Sequence, residues 1–587
     1  MIFRRKETAT TPEPPADGDG SVAGKSPGNR GVSAHALRTP DLAAITMGQK
    51  KLSYSSLDAR TSRLAFAMHR LGVREGDRVV SLLPSSMELF EVTVAAAKVD
   101  AMVVPLSPNF RPDHLATAVG DVCPALVVAH DGLWSELCSR TMELEFIKAL
   151  LIIDMDGPRR CHFIPGVREE YEASLAAAGV RLDPWIASRC ALLGIYHSSP
   201  APGESGGLHL VLKTGEDVVR SQELQIERWS WSESDVYLLC GGAHHPGPGG
   251  WAQTALYVGA RNVVMPAWDP VAWLATVEAE KVTRCFMNPR HFKSLLEVPA
   301  DVWNRYDISS LRLVVHGGTK CPAAVKMRII ERLAPTEVWE IFGTVDTFVS
   351  RISSSEWLER PGSVGRPEPD VAVVIVDADG RPLPEGRTGM ICWGPAPRHR
   401  PAAPQTSRVP PTSWSAYVGR VDEEGYLFVT DKSPDGVRRP NGIVYPWEVE
   451  EVIHGHRAVN DCVVFGAGIQ GGKQHMVAVV HTASDALTVD ALESHCRLYL
   501  PQEKCPDEIV LAGPVGRDDV GKISRLALAN AYRHGSGIFA GSGVGENTSL
   551  ASGDGLEESM AASLERSRIA DVSRGPIAHL DGATVID

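Results

Sequence analysis

The chain has 587 residues, 43% hydrophobic and 22% charged, and a formal net charge of −13. That length exceeds what one hydrophobic core usually serves, so two or more domains are expected, and the acidic balance argues against non-specific binding to nucleic acid or anionic membranes. Eleven cysteines without a single Cys-x-x-Cys pair argue against a zinc or iron–sulfur site and against a disulfide framework.

Residues 1–35 are rich in Pro, Gly, Ser and charge and hold no apolar signal core, which predicts a disordered tail. Strands and helices then alternate. Apolar residues recur at helical spacing over 57–71, a strand follows at 78–83, a helix at 88–99 and a strand at 101–106. The most apolar stretch, 92–106, is interrupted by Lys98 and Asp100, so no membrane span is expected and the chain reads as soluble and cytoplasmic.

A strand at 191–196 runs into the loop His-Ser-Ser-Pro-Ala-Pro-Gly-Glu-Ser-Gly (197–206), and the chain turns apolar again at Leu208. Strand, glycine-rich loop, strand is a common approach to phosphate, yet this loop carries no lysine. Gly203 to Gly207 also fits the Gly-x-Ser-x-Gly elbow of serine hydrolases. That elbow needs a helix directly after the serine, and 208–212 reads as a strand, so the match is a coincidence of spacing.

His244 and His245 stand in a glycine-rich stretch with no third histidine or carboxylate at ligand spacing, which predicts a pocket wall and not a metal centre. In "LVVHGGTKCP" (313–322) a strand ends in Gly317 and Gly318, where a flat ligand can approach the backbone closely. A helix follows at 323–333. "EVWEIFGTVDT" (337–347) is a strand ending in an aromatic, a glycine, two small residues and an acid; Phe342 suits stacking on a base and Asp346 suits Mg²⁺. "PGSVGRP" comes next, then short strands and turns. From residue 448 a fresh pattern begins: helix 449–453, strands 462–465 and 476–481, helix 489–499. His454 and His456 read as a helix end. Residues from 535 onward are again tail-like, apart from a short helix at 556–569.

"SLRLVVHGGTKCP", "IFGTVD", "GSVGRPEPDVAVVIVDADGRPLPEGRTG", "DEEGYLFVTDK", "VYPWEVEEVIHGHRAVNDCVVFG" and "GKISR", in this order and spacing, resemble the adenylate-forming superfamily of acyl-CoA synthetases, nonribosomal-peptide adenylation domains and luciferases. The resemblance covers about 36–535. It implies an α/β fold: a large N-terminal domain (36–430) of stacked α/β subdomains with a β-rich subdomain, and a smaller mobile α+β domain (431–534). It implies ATP, Mg²⁺ and CoA as cofactors and a small carboxylic acid, such as a fatty acid, as substrate. By resemblance Gly317 and Gly318 flank the adenine, Phe342 takes the place of a stacking tyrosine within Phe342-Gly343-Thr344, and Asp346 organises Mg²⁺. Asp431 and Lys432 open the hinge, with Lys432 in an arginine's place. Lys522 is the catalytic lysine, Ser198 is kept from the phosphate loop, and His244 or His245 lines the acyl pocket.

The departures are specific. The phosphate-loop lysine becomes Ser205, its paired threonines become Pro200 and Ala201, and Val345 takes the place of the threonine after the aromatic–Gly pair. The carboxylate that holds the ribose becomes Tyr417, a Gly-Gly-Glu loop becomes Pro440-Asn441-Gly442, and the hinge position is Pro434. A proline fixes φ where a hinge must change it, so hindered rotation of the small domain is expected. Two functions are open at this point: an acid ligase, and a degenerate module of the same fold that binds a ligand or recruits a partner.

Overall fold

The structure is a computed structural model. It describes residues 30–533 apart from 111, 139–146, 148, 154–166, 179–191, 199–207, 214, 345–346, 378, 397–412, 471–472, 485 and 518–521.

The large body is built on two parallel-cored sheets. One has nine strands, and its centre runs parallel through Ala43–Met47, Arg261–Val264, Val236–Leu239, Arg284–Met287, Leu313–His316 and Glu337–Gly343. The other has seven, closed at one edge by the antiparallel pair Leu192–Ser198 and Leu208–Lys213. Strands such as Leu126–His130 (LVVAH) and Ala149–Ile153 (ALLII) are almost wholly buried, as continuous apolar runs in a sheet covered on both faces should be.

The helices Tyr54–Arg70 and Met87–Lys98 form the layer between these sheets. Tyr54, Leu57, Met87 and Phe90 enter the core of the nine-stranded sheet; Leu64, Met68, Leu89, Val92 and Ala95 enter that of the seven-stranded one. A helix buried on both sides is apolar nearly all round, which explains the apolar stretch read from the sequence. Lys98 fits there because its ammonium donates to the Asp58 carboxylate (2.7 Å), the Asp58 carbonyl (2.9 Å) and Ser62 Oγ (2.7 Å). No helix among the described residues is long and apolar enough to cross a membrane.

A four-stranded antiparallel sheet (Val371–Val376, Gly389–Pro395, Ser413–Val421, Leu427–Lys432) follows the body. The small domain then packs the helices Pro446–His454, Val489–Tyr499 and Arg525–Arg533 on a three-stranded sheet of Asp461–Gln470, Lys473–His481 and Glu508–Ala512. The expected helices at 323–333 and 489–499 coincide with Ala323–Leu333 and Val489–Tyr499.

One expectation is corrected. Residues 32–35 belong to the helix Val32–Arg38, not to a tail. Val32 and His35 are buried, the Gly31 N–H donates to the Tyr257 carbonyl (2.9 Å), and the His35 ring lies so close to Gly259 that a Cβ there would meet it at 2.4 Å. Composition averaged over 35 residues concealed these few anchoring side chains. The helix expected at 556–569 lies outside the described residues.

Candidate active site

A crevice of ≈ 1680 Å³ opens where the large body, the four-stranded sheet and the small domain meet. It lies at the carboxyl ends of the parallel strands, the usual ligand position in an open α/β sheet. Val236–Leu239 delivers Gly241 and Gly242 to its wall, Leu313–His316 delivers Gly318, and Glu337–Gly343 delivers Phe342 and Gly343.

The two glycines after Leu313–His316 have different reasons. Gly317 is buried, and a Cβ there would stand 2.9 Å from Ile341 Cγ1, so its absence lets neighbouring strands close up. Gly318 has φ +89, a left-handed conformation that glycine adopts freely, and it is exposed at the crevice. Gly343 sits where the pairing of Glu337–Gly343 with Phe348–Ser353 shifts register; a Cβ there would be 2.2 Å from the Thr347 carbonyl. Thr344 is exposed, and its N–H closes the turn onto that carbonyl at 2.9 Å. Val345 and Asp346, the latter expected to organise Mg²⁺, lie outside the described residues.

Phe342 meets the rings of Tyr417 and Trp393 edge-on, with centroids 5.2 and 6.0 Å away. Tyr417, expected where the resemblance has a ribose carboxylate, is thus an aromatic that props Phe342. Burial, then the nearby Asp431 and Asp435, push its phenol up to about 12, so it offers a neutral hydroxyl and no charge.

Asp431 does not reach the crevice. It is fully enclosed, and its carboxylate accepts the N–H groups of Lys432 (2.7 Å) and Trp447 (2.8 Å), tying the end of Leu427–Lys432 to the first turn of Pro446–His454. Burial pushes it up to about 7, against the pull of Arg525 and those two amides. Lys432, expected beside Asp431 at the ligand, does line the crevice, as does Lys522 from the small domain. Burial first, and then the Lys522 ammonium, hold Lys432 below the usual lysine range. Pro434 lies in the short 3-10 turn Ser433–Asp435 that leads from this strand into the small domain.

Of the two histidines, His244 faces the crevice and is buried, while His245 stands at the N-cap of the helix Pro246–Val258. Gly242 makes room for the His244 ring, since a Cβ there would lie 2.4 Å from Cε1. Ser198 ends its strand opposite Leu208, so the segment 199–207 joins two antiparallel strands, and a strand, not a helix, follows it. That loop, with Pro200, Ala201 and Ser205, lies outside the described residues.

Sequence reasoning missed Arg525. It donates to Asp435 (2.8 Å), Glu450 (2.7 Å) and the Val464 carbonyl (2.9 Å), pinning the segment that carries Lys522 to the hinge turn and the small domain's sheet. Its signal was the arginine three residues after the lysine in "GKISR", at the start of the helix Arg525–Arg533.

Residues 32–396 match the sequence signature described as AMP-binding enzyme, and residues 448–520 that of the AMP-binding enzyme C-terminal domain. A medium/long-chain-fatty-acid–CoA ligase of Mycobacterium tuberculosis is 23% identical over 85% of this chain and 88% of its own. A feruloyl-CoA synthase of an Amycolatopsis species is 27% identical over 84% and 98%. Among solved structures, the o-succinylbenzoate CoA synthetase of Bacillus subtilis in complex with its acyl-adenylate intermediate aligns with a TM-score of 0.68 at 18% identity, covering 85% of this chain and 97% of that one. An amide bond synthetase of Marinactinospora thermotolerans gives 0.70 at 21% identity, covering 85% and 99%. At such identities the structural likeness establishes the fold.

Proposed function

We infer the working of the crevice from one premise: this chain belongs to the AMP-binding enzyme family. It is an adenylate-forming, AMP-dependent ligase that uses ATP with magnesium and acts on a small carboxylic or fatty acid. In its first half-reaction a carboxylate oxygen of the acid forms a bond to the α-phosphorus, the bond from that phosphorus to the bridging oxygen breaks, and pyrophosphate leaves with the electron pair. Such a transfer asks the protein mainly for position and for fixed charge against the developing negative oxygens.

The proposed division of labour is as follows. Phe342, braced by Tyr417 and Trp393, offers its face to the adenine, with exposed Gly318 leaving the approach open. Lys522 neutralises the attacking carboxylate and the α-phosphate, Lys432 supplies a second cation beside it, and His244 lines the acid's end of the crevice. Asp346 is the residue proposed to hold magnesium, which would supply positive charge against the phosphates. In the second half-reaction a thiol attacks the acyl carbon and AMP leaves, and CoA is the proposed acceptor. The reading as a degenerate module is set aside, because the relatives named above are ligases and synthetases and both Lys432 and Lys522 line the crevice.

The observation that carries this reading is Lys522, a residue of the small domain, lining the same crevice as Phe342 of the large one. Lys522→Ala is expected to lower acid-dependent pyrophosphate exchange by roughly 10²–10³-fold across a panel of aryl and fatty acids, with an unchanged circular dichroism spectrum. Exchange at the wild-type rate would remove Lys522 from the mechanism.

A further inference from the structure

Around the same crevice the two domains also touch through charged side chains to which the proposed chemistry gives no role. Glu451, on Pro446–His454 of the small domain, accepts the N–H of Ala323 at 2.6 Å. Ala323 is the first residue of the body's helix Ala323–Leu333, whose N-cap position is Pro322, with no side-chain cap of its own. The small domain therefore supplies the cap: a carboxylate on a free helix N–H at the positive end of the helix dipole. Lys320, just before that helix, lies over the Trp447 ring at 5.6 Å; burial, the larger effect, raises Glu451 above the usual glutamate range, and the Lys320 charge and the Ala323 N–H draw it back. A second contact lies further along the interface. Lys293, on the body's helix Pro289–Glu297, pairs with Asp461 of the small domain at 2.6 Å, and Asn460 beside it donates to Glu297 at 2.9 Å.

These contacts differ in what separation would leave behind. Asp461 also takes Arg517 of its own domain, at 2.7 Å, while burial keeps the adjacent His454 neutral. Losing Lys293 would leave Asp461 with a cation still in place, so that pair is a peg that can be withdrawn. Among the described residues Glu451 has no such reserve: withdrawing it uncaps the body's helix and moves the carboxylate away from Lys320. An interaction of this kind biases a domain equilibrium by its difference between the two arrangements, and here it exists in one of them.

We propose that Glu451, seconded by the Lys293–Asp461 pair, is a positioning residue of the first half-reaction: a cross-domain helix cap that holds the small domain where Lys522 enters the crevice. The proposal rests on the ligase reading for its catalytic consequence but not for the latch itself. Glu451 touches no reacting atom. It selects the adenylate-forming arrangement and must release before any arrangement suited to thiol attack.

The test separates these levels. In Glu451→Ala, pyrophosphate exchange with aryl and fatty acids is expected to fall about tenfold or more. Thioester formation from added benzoyl-adenylate and CoA, which needs no adenylation, is expected to stay level or rise, and Glu451→Gln, which keeps an acceptor oxygen, to recover most of the exchange. Equal loss in both half-reactions would mark a merely structural residue and overturn the proposal, as would undiminished exchange. A readout free of catalysis is small-angle scattering of the full chain without ligand: Glu451→Ala and Lys293→Ala are expected to lengthen the maximum dimension relative to wild type. An unchanged distance distribution in both overturns the latch whatever the activity. Lengthened scattering together with no exchange in the wild type sustains the latch and strikes at the ligase reading.

Discussion

A carboxyl group with no water around it behaves differently from one in a crevice, and Asp431 is the clearest case. Its sequence position suggested a ligand contact, but its oxygens hold the Lys432 and Trp447 amides inside the protein. Burial raises it from the ordinary 3.8 to about 7 in the folded chain. A raised acid favours folding while protonated, so this contribution is complete below about pH 4 and is lost as pH rises through about 7. Between pH 5.5 and 8 the wild type is expected to lose thermal stability more steeply than Asp431→Asn; parallel melting curves across that range would show that the group does not titrate there. The residues legible in advance were those whose chemistry is local. Gly318 and Phe342 sit in short motifs whose residue types suggest close backbone approach and ring stacking, Lys522 was placed by resemblance alone, and all three line the crevice. Asp431 was misread because enclosure is decided by distant Trp447 and Arg525, and the choice between His244 and His245 waited on which one begins a helix.

Elements were legible where their period was unambiguous. Ala323–Leu333 and Val489–Tyr499 begin and end where the apolar spacing begins and ends. Val32–Arg38 was missed because seven residues hold too few turns to show a period, and its order comes from contact with Tyr257 and Gly259. The turn Ser433–Asp435 lies between Leu427–Lys432 and the small domain, so Pro434 stands where the expected rotation of that domain would pivot. With φ fixed near −65°, that turn resists the change a hinge makes. Pro434→Asp is expected to speed thioester formation and to enlarge the change in scattering caused by an acyl-adenylate analogue. Identical changes in the two proteins would place the pivot elsewhere.

At the scale of the whole molecule, an acidic chain gathers Lys320, Lys432, Lys522 and Arg525 around one crevice, contributed by both of its domains. No single segment announces that concentration, since the residues lie up to two hundred positions apart and only domain docking collects them. The resemblance carried by the motifs implied a large and a small domain, while the pairing of Glu451 with Ala323 and of Lys293 with Asp461 could not be read from them, although Glu451 and Asp461 both stand in one quoted motif. The helix layer inside the large body has its own consequence. Met87–Lys98 places Phe90 in one core and Leu89 in the other, so neither sheet can come apart without stripping cover from its neighbour. Heating should therefore melt the large body in a single calorimetric peak although it contains two sheets. Two resolved peaks arising within residues 30–370 would mean that the shared helices do not weld those cores into one cooperative unit.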